Sequence, residues 1–183
     1  MRNDEIRELV RSRFEPITDW HGDRAYRCAV VLRDGLRLPC VVMKNAEAEV
    51  QLALQRFEET RGNGVTDPSM IHPGYYPTIV KSFVTTGNRL AVWDVEDLEP
   101  SPFALPLVRL AEIKGETSMS WTAFAGVMDD GREFSFGTTY TTEFFAMPEG
   151  YTADRVVRII PHRSEEKPVY RERPFFTCFL DGL

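Results

Sequence analysis

Apolar residues alternate with small or polar ones from Met119 to Tyr140, and Asp130-Gly131 interrupts the alternation once. A period of two is typical of β-strands, and an aspartate-glycine pair favours the two-residue turn of a hairpin. This turn predicts a register in which Phe124 lies opposite Gly137 and covers it with an aromatic ring. We therefore expect this stretch to form the central hairpin of the fold.

A second alternating stretch runs from Tyr26 to Met43 around Asp34-Gly35. A two-residue turn at that pair places Val31 opposite Leu38. Apolar residues occupy both predicted faces of these strands, which is typical of strands that are covered on both sides. The second hairpin is therefore expected at the centre of a sheet.

Prolines, glycines and helix-capping residues divide the rest of the chain into shorter predicted elements. These are helices over residues 3–14 and 46–61, begun by Asn3 and Asn45, a third hairpin over 78–96, strands over 107–113, 155–160 and 175–180, and a proline-rich crossover over 97–106. The pattern predicts an α+β fold, with one mostly antiparallel, twisted sheet of about eight or nine strands and two helices packed on one face. We expect a single domain over residues 1–183, with 97–106 as the place where it could divide.

The 183 residues include 28 acidic and 22 basic side chains, which gives a formal net charge of −6. No long basic run is present, so binding to a nucleic-acid backbone is not expected. No apolar stretch is long enough to cross a membrane as a helix, and the polar start is typical of a helix rather than a signal peptide. An acidic surface serves solubility or attracts a basic partner.

The three cysteines, Cys28, Cys40 and Cys178, form no CxxC pair. In the predicted register Cys28 and Cys40 point to opposite faces of the sheet, so they cannot form a disulfide. We interpret all three as small buried hydrophobic residues with reduced thiols, which favours a cytoplasmic location.

The motifs of the common enzyme classes are absent from the sequence. It contains no phosphate-binding glycine loop, no GxGxxG, no GxSxG and no HExxH. It also lacks the zinc-deaminase signature and an EF-hand loop. No cofactor and no metal site is therefore expected, and the usual nucleotide-dependent, serine-hydrolase and zinc-protease functions are disfavoured.

Candidate ligand-binding residues concentrate in the loop over residues 62–77, which is long for a compact domain and for that reason a place to look for function. This loop and an earlier turn carry Asp67, His72, Tyr75, Tyr76, His21 and Asp23. Imidazole and carboxylate groups could converge as an acid-base pair or as metal ligands, but singly they are ordinary solvated or turn-capping side chains. We predict that the three histidines, the third being His162, do not converge on one metal ion.

Two acidic residues, Asp94 and Glu96, are spaced to share one face of a predicted strand. Paired carboxylates can act as general acid and base, as in glycosidases. A solvated sheet face, with Asp94 opposite Lys81, explains the same spacing. Both interpretations stand at this point.

The missing catalytic motifs, the negative charge and the aromatic residues of predicted loops favour a binding protein. Candidate partner anchors are Tyr75, Tyr76, Phe144, Phe145 and Tyr151, although Phe144 and Phe145 also fit the sheet core. We hypothesise a non-catalytic cytoplasmic protein that binds a protein partner or a second copy of the chain through an acidic, aromatic-edged surface, in a regulatory or immunity-like role. The alternative is a small enzyme or ligand-binding protein with a pocket walled by loop 62–77.

Overall fold

The computed structural model describes residues 2–19, 22–45, 88–139, 141–161 and 168–183. The helices of these residues are α1 (Asn3–Arg13) and α2 (Leu107–Leu110), with 3₁₀ turns at Val92–Asp94 and Ala153–Arg155. The strands are β1 (Pro16–Thr18), β2 (Arg24–Leu32), β3 (Arg37–Lys44), β4 (Arg89–Leu90), β5 (Val95–Glu99), β6 (Thr122–Met128), β7 (Glu133–Thr138), β8 (Val156–Pro161), β9 (Tyr170–Arg171) and β10 (Phe176–Phe179). The described chain is therefore α+β, as predicted.

The strands form two mixed sheets. Within the described residues, the first sheet has six strands in the order β1-β2-β3-β10-β4 with β5 beside β2, and the second has four in the order β8-β6-β7-β9. β10 runs parallel to β3 and β4, and β9 runs parallel to β7. The prediction of one mostly antiparallel sheet is therefore wrong. Hairpin turns specify only antiparallel neighbours, whereas these parallel pairs join strands that are far apart in sequence.

Three predicted elements are present at their expected positions, namely α1, β8 and β10. α1 buries Ile6 and Val10 on one face, which agrees with the helical spacing of its apolar residues. The N-terminus of α1 is capped by a different group from the predicted one. The carboxylate of Glu5 accepts a hydrogen bond from the backbone N–H of Arg2 at 3.0 Å, whereas the prediction had Asn3 as the capping residue.

The predicted strand over residues 107–113 is wrong. The chain instead forms the short helix α2, in which the N–H groups of Arg109 and Leu110 both donate to the carbonyl of Pro106, at 2.8 and 3.0 Å. Proline is well tolerated at a helix start, and a short apolar run does not distinguish strand from helix. The predicted helix over 46–61, loop 62–77 and the first strand of the third hairpin lie outside the described residues.

The β6–β7 hairpin turns through a three-residue loop. The Met128 N–H donates to the Arg132 carbonyl at 2.8 Å, and the Gly131 N–H donates to the Met128 carbonyl at 3.0 Å. Gly131 has a φ of +85°. A two-residue type I′ turn would also require a positive φ at Asp130, which is costly for a residue with a side chain, so the longer loop is favoured.

The extra loop residue shifts the predicted register of this hairpin by one residue. Phe124 pairs with Phe136, and their rings stack with centroids 5.4 Å apart. The predicted pair of Phe124 with Gly137 is therefore wrong. Trp121 and Pro168 cover Gly137 instead, since a Cβ built there would lie 2.5 and 2.4 Å from their side-chain carbons.

The β2–β3 hairpin has the same kind of loop, with Gly35 at a φ of +85°. Next to the loop, Val31 lies opposite Arg37, one residue away from the predicted partner. A register shift between Cys28 and Val30 then restores the predicted pair of Cys28 with Val41. A β-bulge adds one residue to one strand, so it cancels the shift that the loop introduces.

Apolar clusters cover both faces of the first sheet. α1 packs over one face, where Cys28 lies among the buried residues together with Val41 and Cys178. Cys40 belongs to a second cluster with Ala25, Val42 and Phe144. The prediction that Cys28 and Cys40 point to opposite faces is confirmed.

Two irregular segments, 103–105 and 144–145, connect the two sheets. Phe103 and Phe144 pack against the first sheet, whereas Leu105 and Phe145 belong to the core of the second. The segments are hydrogen-bonded to each other through the Phe145 N–H and the Phe103 carbonyl, at 3.0 Å. Neighbouring residues along each segment therefore pack into different hydrophobic cores.

Candidate functional site

Most of the ligand-binding residues predicted from the sequence lie outside the described residues: Asp67, His72, Tyr75, Tyr76 and His21. Asp23 is described and exposed, and its backbone forms a turn with Asp19. Its N–H donates to the Asp19 carboxylate and its carbonyl accepts the Asp19 N–H, each at 2.9 Å. The pairing of Asp23 with His21 and the pocket walled by loop 62–77 stay predictions.

The metal-site alternative also depends on residues beyond the described ranges, because His162 lies there with His21 and His72. Within the ranges that the structure describes, no group of three or more histidine, cysteine, aspartate or glutamate side chains could hold a metal ion. The expectation that the histidines do not converge stays a prediction.

Three aromatic residues predicted as possible partner anchors instead stabilise the fold. Phe144 and Phe145 are buried, with 1% and 0% exposure, so their interpretation as core residues is right and the anchor interpretation is wrong. Tyr151 is half-buried, and its ring packs edge-on against Phe134 with centroids 5.2 Å apart. Its hydroxyl donates to the Asp130 carboxylate at 2.6 Å, so the side chain is held in place.

Trp93 is the large aromatic side chain that is most exposed in the described chain, at 66%. It lies in the 3₁₀ turn Val92–Asp94, before β5 begins at Val95. The turn interrupts the predicted strand, so that Val92 packs against the first core while Trp93 is exposed. Because Asp94 belongs to this turn and Glu96 to β5, the prediction that the two carboxylates share one strand face is wrong.

The carboxylates that follow Trp93 along the chain differ in their ion pairing. Glu99 pairs with Arg37 at 2.7 Å, and Asp97 lies 3.5 Å from Arg13. Asp94 and Glu96 are exposed, and their side chains make no hydrogen bond or ion pair with any described residue. We call Trp93, Asp94 and Glu96 the Trp93 face.

The tip of the β2–β3 hairpin lies at the same end of the first sheet as the Trp93 face. The Arg33 N–H donates to the Asp94 carbonyl at 3.0 Å, which joins the two segments. The tip exposes a second large apolar side chain, Leu36, at 55%. Exposed apolar residues that are rimmed by polar ones are typical of protein-binding surfaces.

A cleft of about 180 Å³ lies where the end of α1, β2 and the segment over 100–107 meet. It is lined by Arg13, Phe14, Glu15, Arg27, Pro100, Ser101, Ala104, Leu105, Pro106, Leu107 and Asp154, and we call it the Arg27 cleft. Pockets for cofactors and drug-sized ligands usually measure about 300–1,000 Å³. The Arg27 cleft therefore suits one side chain or a small ion.

Arg27 is a buried charge in the wall of this cleft, with 9% exposure. Its guanidinium donates to the carbonyls of Glu143 at 3.2 Å and Leu105 at 2.6 Å. The buried Nε has no hydrogen-bond partner among the described residues. Burial lowers the pKa of Arg27 to about 10, while the nearby carboxylates of Glu143 and Glu15 act in the opposite direction. Arg27 therefore stays charged at neutral pH and does not act as a base.

Glu143 is half-buried, and its carboxylate is the one whose charge acts most strongly on Arg27. Burial raises the pKa of Glu143, whereas hydrogen bonds from its own and the Thr142 backbone and the charge of Arg27 act to lower it. Its Oε2 atom is buried without a hydrogen-bond partner among the described residues. The hydrogen bonds of Arg27 with the Glu143 and Leu105 carbonyls join β2 of the first sheet to the two segments that connect the sheets.

The other charged residues of the cleft are closer to solvent. Nη1 of Arg13 donates to the Leu98 carbonyl at 3.0 Å and lies close to Asp97. Glu15 and Asp154 are exposed, and neither makes a hydrogen bond or an ion pair with a described residue. The rim of the cleft therefore carries two carboxylates without an ion-pair partner in the parts of the chain that the structure describes.

Sequence reasoning missed both Arg27 and Trp93 as candidate residues. Arg27 did give a signal, because it is the only charged residue between Ala25 and Leu32 in an otherwise apolar stretch. A charged residue in such a strand is usually buried with partners. Trp93 gave none, because the alternation on both sides of it predicts a continuous strand.

Comparison of the chain with protein-family models, with curated proteins and with solved structures finds no match. In the described parts of the chain, no helix has the length and apolar composition needed to cross a membrane. The functional inference therefore depends on the geometry of the chain itself.

Proposed function

We propose that this chain is a non-catalytic cytoplasmic protein that binds a basic macromolecular partner through the Trp93 face. The observation that carries the proposal is the 66% exposure of Trp93, which two exposed carboxylates without ion pairs to described residues follow at positions 94 and 96 of the chain. Tryptophan is enriched among interface hot spots because it buries a large apolar area. Carboxylates around such an anchor favour a partner of positive charge.

The charge of the whole chain supports a basic partner. A net charge of −6 produces a long-range field that accelerates the approach of a positively charged protein and weakens as salt is added. The three cysteines are buried and free, which supports a reducing compartment. A small regulatory or immunity-like protein would combine these properties.

The proposal is tested with a lysine-only oligopeptide as the probe and its acetylated form as the uncharged control. Isothermal titration of the full chain should show binding of the charged probe only, with an affinity that falls as salt is raised. Trp93→Ala should weaken this affinity about tenfold or more, because that is the loss expected for a hot-spot residue. Met119→Ala is the matched control, because Met119 is 93% exposed and lies in the turn before β6.

The charge contribution is tested with two double variants that change the net charge equally. Asp94→Asn with Glu96→Gln should weaken binding of the probe more than Glu116→Gln with Glu133→Gln does. Glu116 and Glu133 are both exposed, Glu116 in the irregular segment before β6 and Glu133 at the start of β7. Wild-type affinity in the Trp93→Ala variant, or equal losses in the two double variants, would contradict the proposed function.

A further inference from the structure

We propose that the Arg27 cleft binds a small oxyanion, a carboxylate or a phosphate group, beside the guanidinium groups of Arg27 and Arg13. The cleft shares no residue with the Trp93 face, so its ligand is independent of the basic partner proposed for that face. The support comes from a buried charge without an ion pair, from the free N–H groups of the two arginines, and from the depth of the charges and the size of the cleft.

Arg27 is a buried cation without a carboxylate partner. It is 9% exposed, its two hydrogen bonds end on neutral carbonyl groups, and it forms no ion pair with a described residue. Glu143 compensates this charge only in part, because burial raises the pKa of its carboxyl group. Buried charges are costly unless they are paired, so an anion that enters the cleft would supply the missing counter-charge.

Both arginines keep N–H groups for such an anion. A guanidinium carries five N–H donors, and Arg27 uses one of Nη1 and one of Nη2, so that its other N–H groups have no acceptor among the described residues. Arg13 donates through Nη1 to the Leu98 carbonyl, and its Nε and Nη2 atoms make no hydrogen bond with a described residue. Hydrogen bonds from a guanidinium to an oxyanion are charge-assisted and therefore strong.

The carboxylates on the rim oppose an anion less than Arg27 attracts it. Glu15 and Asp154 are exposed, so water screens their charges. Arg27 is buried beside Leu105, which is 0% exposed, and charges interact more strongly where the effective dielectric constant is low. The buried wall of the cleft therefore attracts an anion, although the lining contains as many carboxylates as arginines.

The size of the cleft restricts the ligand to a small group. Its volume of about 180 Å³ is the space that about six water molecules occupy in the liquid. A carboxylate or phosphate group is the size of a few water molecules, whereas pockets for cofactors measure about 300 Å³ or more. The cleft therefore suits a small anion or the anionic end of a longer ligand.

Binding is measured by NMR on the ¹⁵N-labelled full chain. Sodium acetate and sodium phosphate are titrated separately, and sodium chloride is adjusted to keep the ionic strength constant. The signals of the Arg27 Nε–H group and of the Leu105 amide should shift to saturation with at least one of the two anions. Tighter binding of acetate would identify a carboxylate ligand, and tighter binding of phosphate would identify a phosphoryl ligand. No saturable shift with either anion would overturn the proposal.

The contribution of the arginines is tested at Arg13, which is exposed, because Arg27 also holds β2 to the segments that connect the sheets. Arg13→Gln should weaken the affinity for the bound anion about fivefold. Arg158→Gln is the matched control, because Arg158 is an exposed arginine of β8 outside the cleft, and it should change the affinity less than about twofold. Equal losses in the two variants would overturn the proposal, since they would show an effect of net charge alone.

The rim carboxylates give a test of opposite sign. Glu15→Gln with Asp154→Asn should strengthen binding of the anion about twofold or more, because it removes two repulsive charges. Glu116→Gln with Glu133→Gln changes the net charge equally outside the cleft and should strengthen binding less. Weaker binding in the rim variant would overturn the proposal, because it would show that the rim attracts the ligand. Thermal melting checks that each variant is folded.

Discussion

The hairpins β2–β3 and β6–β7 have the same type of turn, but they differ in the side-chain contacts that the turn makes with the rest of the fold. Both turn through three residues that end in a glycine with a φ of +85°. In both, the aspartate before that glycine accepts a hydrogen bond from the N–H two residues further on, at 2.9 Å for Asp34 and 3.1 Å for Asp130. The hydrogen bonds that close both loops are made within a few residues, so the local sequence favours this type of loop.

The surroundings of the two tips are different. In the β6–β7 loop, Arg155 forms an ion pair with Asp129 at 2.7 Å, and the Tyr151 hydroxyl bonds Asp130. At the β2–β3 tip the side chains of Arg33 and Asp34 make no ion pair with a described residue, and Leu36 is exposed. The same local turn can therefore be fixed to the rest of the fold by side-chain hydrogen bonds and ion pairs or left exposed to solvent, depending on residues remote in sequence.

The largest expected effect lies in the strands and not in the loops. Phe136 is fully buried in the second core, where its ring packs against Phe124, Phe145 and Tyr170. Phe136→Ala should lower the free energy of unfolding by roughly 3–5 kcal/mol, because it removes a large side chain and leaves a cavity. Chemical denaturation measures this loss.

The control is the same position in the other hairpin. Cys40 follows Gly35 by as many residues as Phe136 follows Gly131, and it is also buried. Cys40→Ala should cost about 1 kcal/mol, a typical value for a single substitution. Equal losses for the two variants would mean that the aromatic core of the second sheet is not the more tightly packed one.

An intermediate effect is expected at the loop glycines, where the two hairpins should behave alike. A Cβ at Gly35 or Gly131 would meet no atom within 4 Å, so a substitution costs only backbone strain at the positive φ. Gly35→Val and Gly131→Val should each lose about 1–3 kcal/mol of stability. Asparagine at either position should lose less, because it tolerates the left-handed conformation. A clear difference between the two valine variants in denaturation midpoint would show that the loops are not equivalent.

The smallest expected effect is a difference between the two hairpin tips in how much stability each loses at acid pH. The pKa of Asp129 is lowered by its hydrogen bonds with Arg155, and the pKa of Asp130 is lowered first by the hydrogen bond from Tyr151. A folded-state pKa below the ordinary 3.8 means that the unfolded chain binds protons first as the pH falls. These two groups therefore contribute stability above that pKa, and the contribution is lost as the pH falls through the lowered values.

Thermal melting between about pH 5 and pH 2 measures this contribution. The double variant Asp129→Asn with Asp130→Asn should have a lower melting temperature than the wild type at the upper end of this range and a shallower decline towards the lower end. Asp34→Asn is the matched control, because it removes the corresponding aspartate of the other hairpin, which has no ion pair with a described residue. If the melting temperature of the double variant declines with pH as that of the wild type does, the contacts of Asp129 with Arg155 and of Asp130 with Tyr151 make no contribution to stability.

The sequence predicted the hairpins better than it predicted which other strands pair with them. Both aspartate-glycine turns and the helix α1 occur where the patterns indicated. The register of β6–β7 differs by one residue, because whether the loop has two or three residues depends on a single φ angle at Asp130. The parallel contacts of β10 and β9 had no local signal at all.

The candidate sites were less predictable than the fold. Trp93 is exposed because a 3₁₀ turn interrupts an apolar pattern that predicts a strand. The Arg27 cleft combines residues from α1, β2, the 100–107 segment and the 3₁₀ turn that contains Asp154, which no spacing rule brings together. Arg27 itself could have been identified from its position in an apolar strand, although not the carbonyl groups that it contacts.

What the sequence determines by itself is therefore the set of local structures: the α+β composition, the aspartate-glycine loops and the opposite faces of Cys28 and Cys40. These depend on backbone angles and side-chain alternation, whose energies are set within a few residues. Only the tertiary structure decides that the strands divide into two sheets, that Asp130 is clamped while Asp34 is not, and that Arg27 is buried at the junction. Those outcomes depend on contacts between distant segments, whose energies no local pattern encodes.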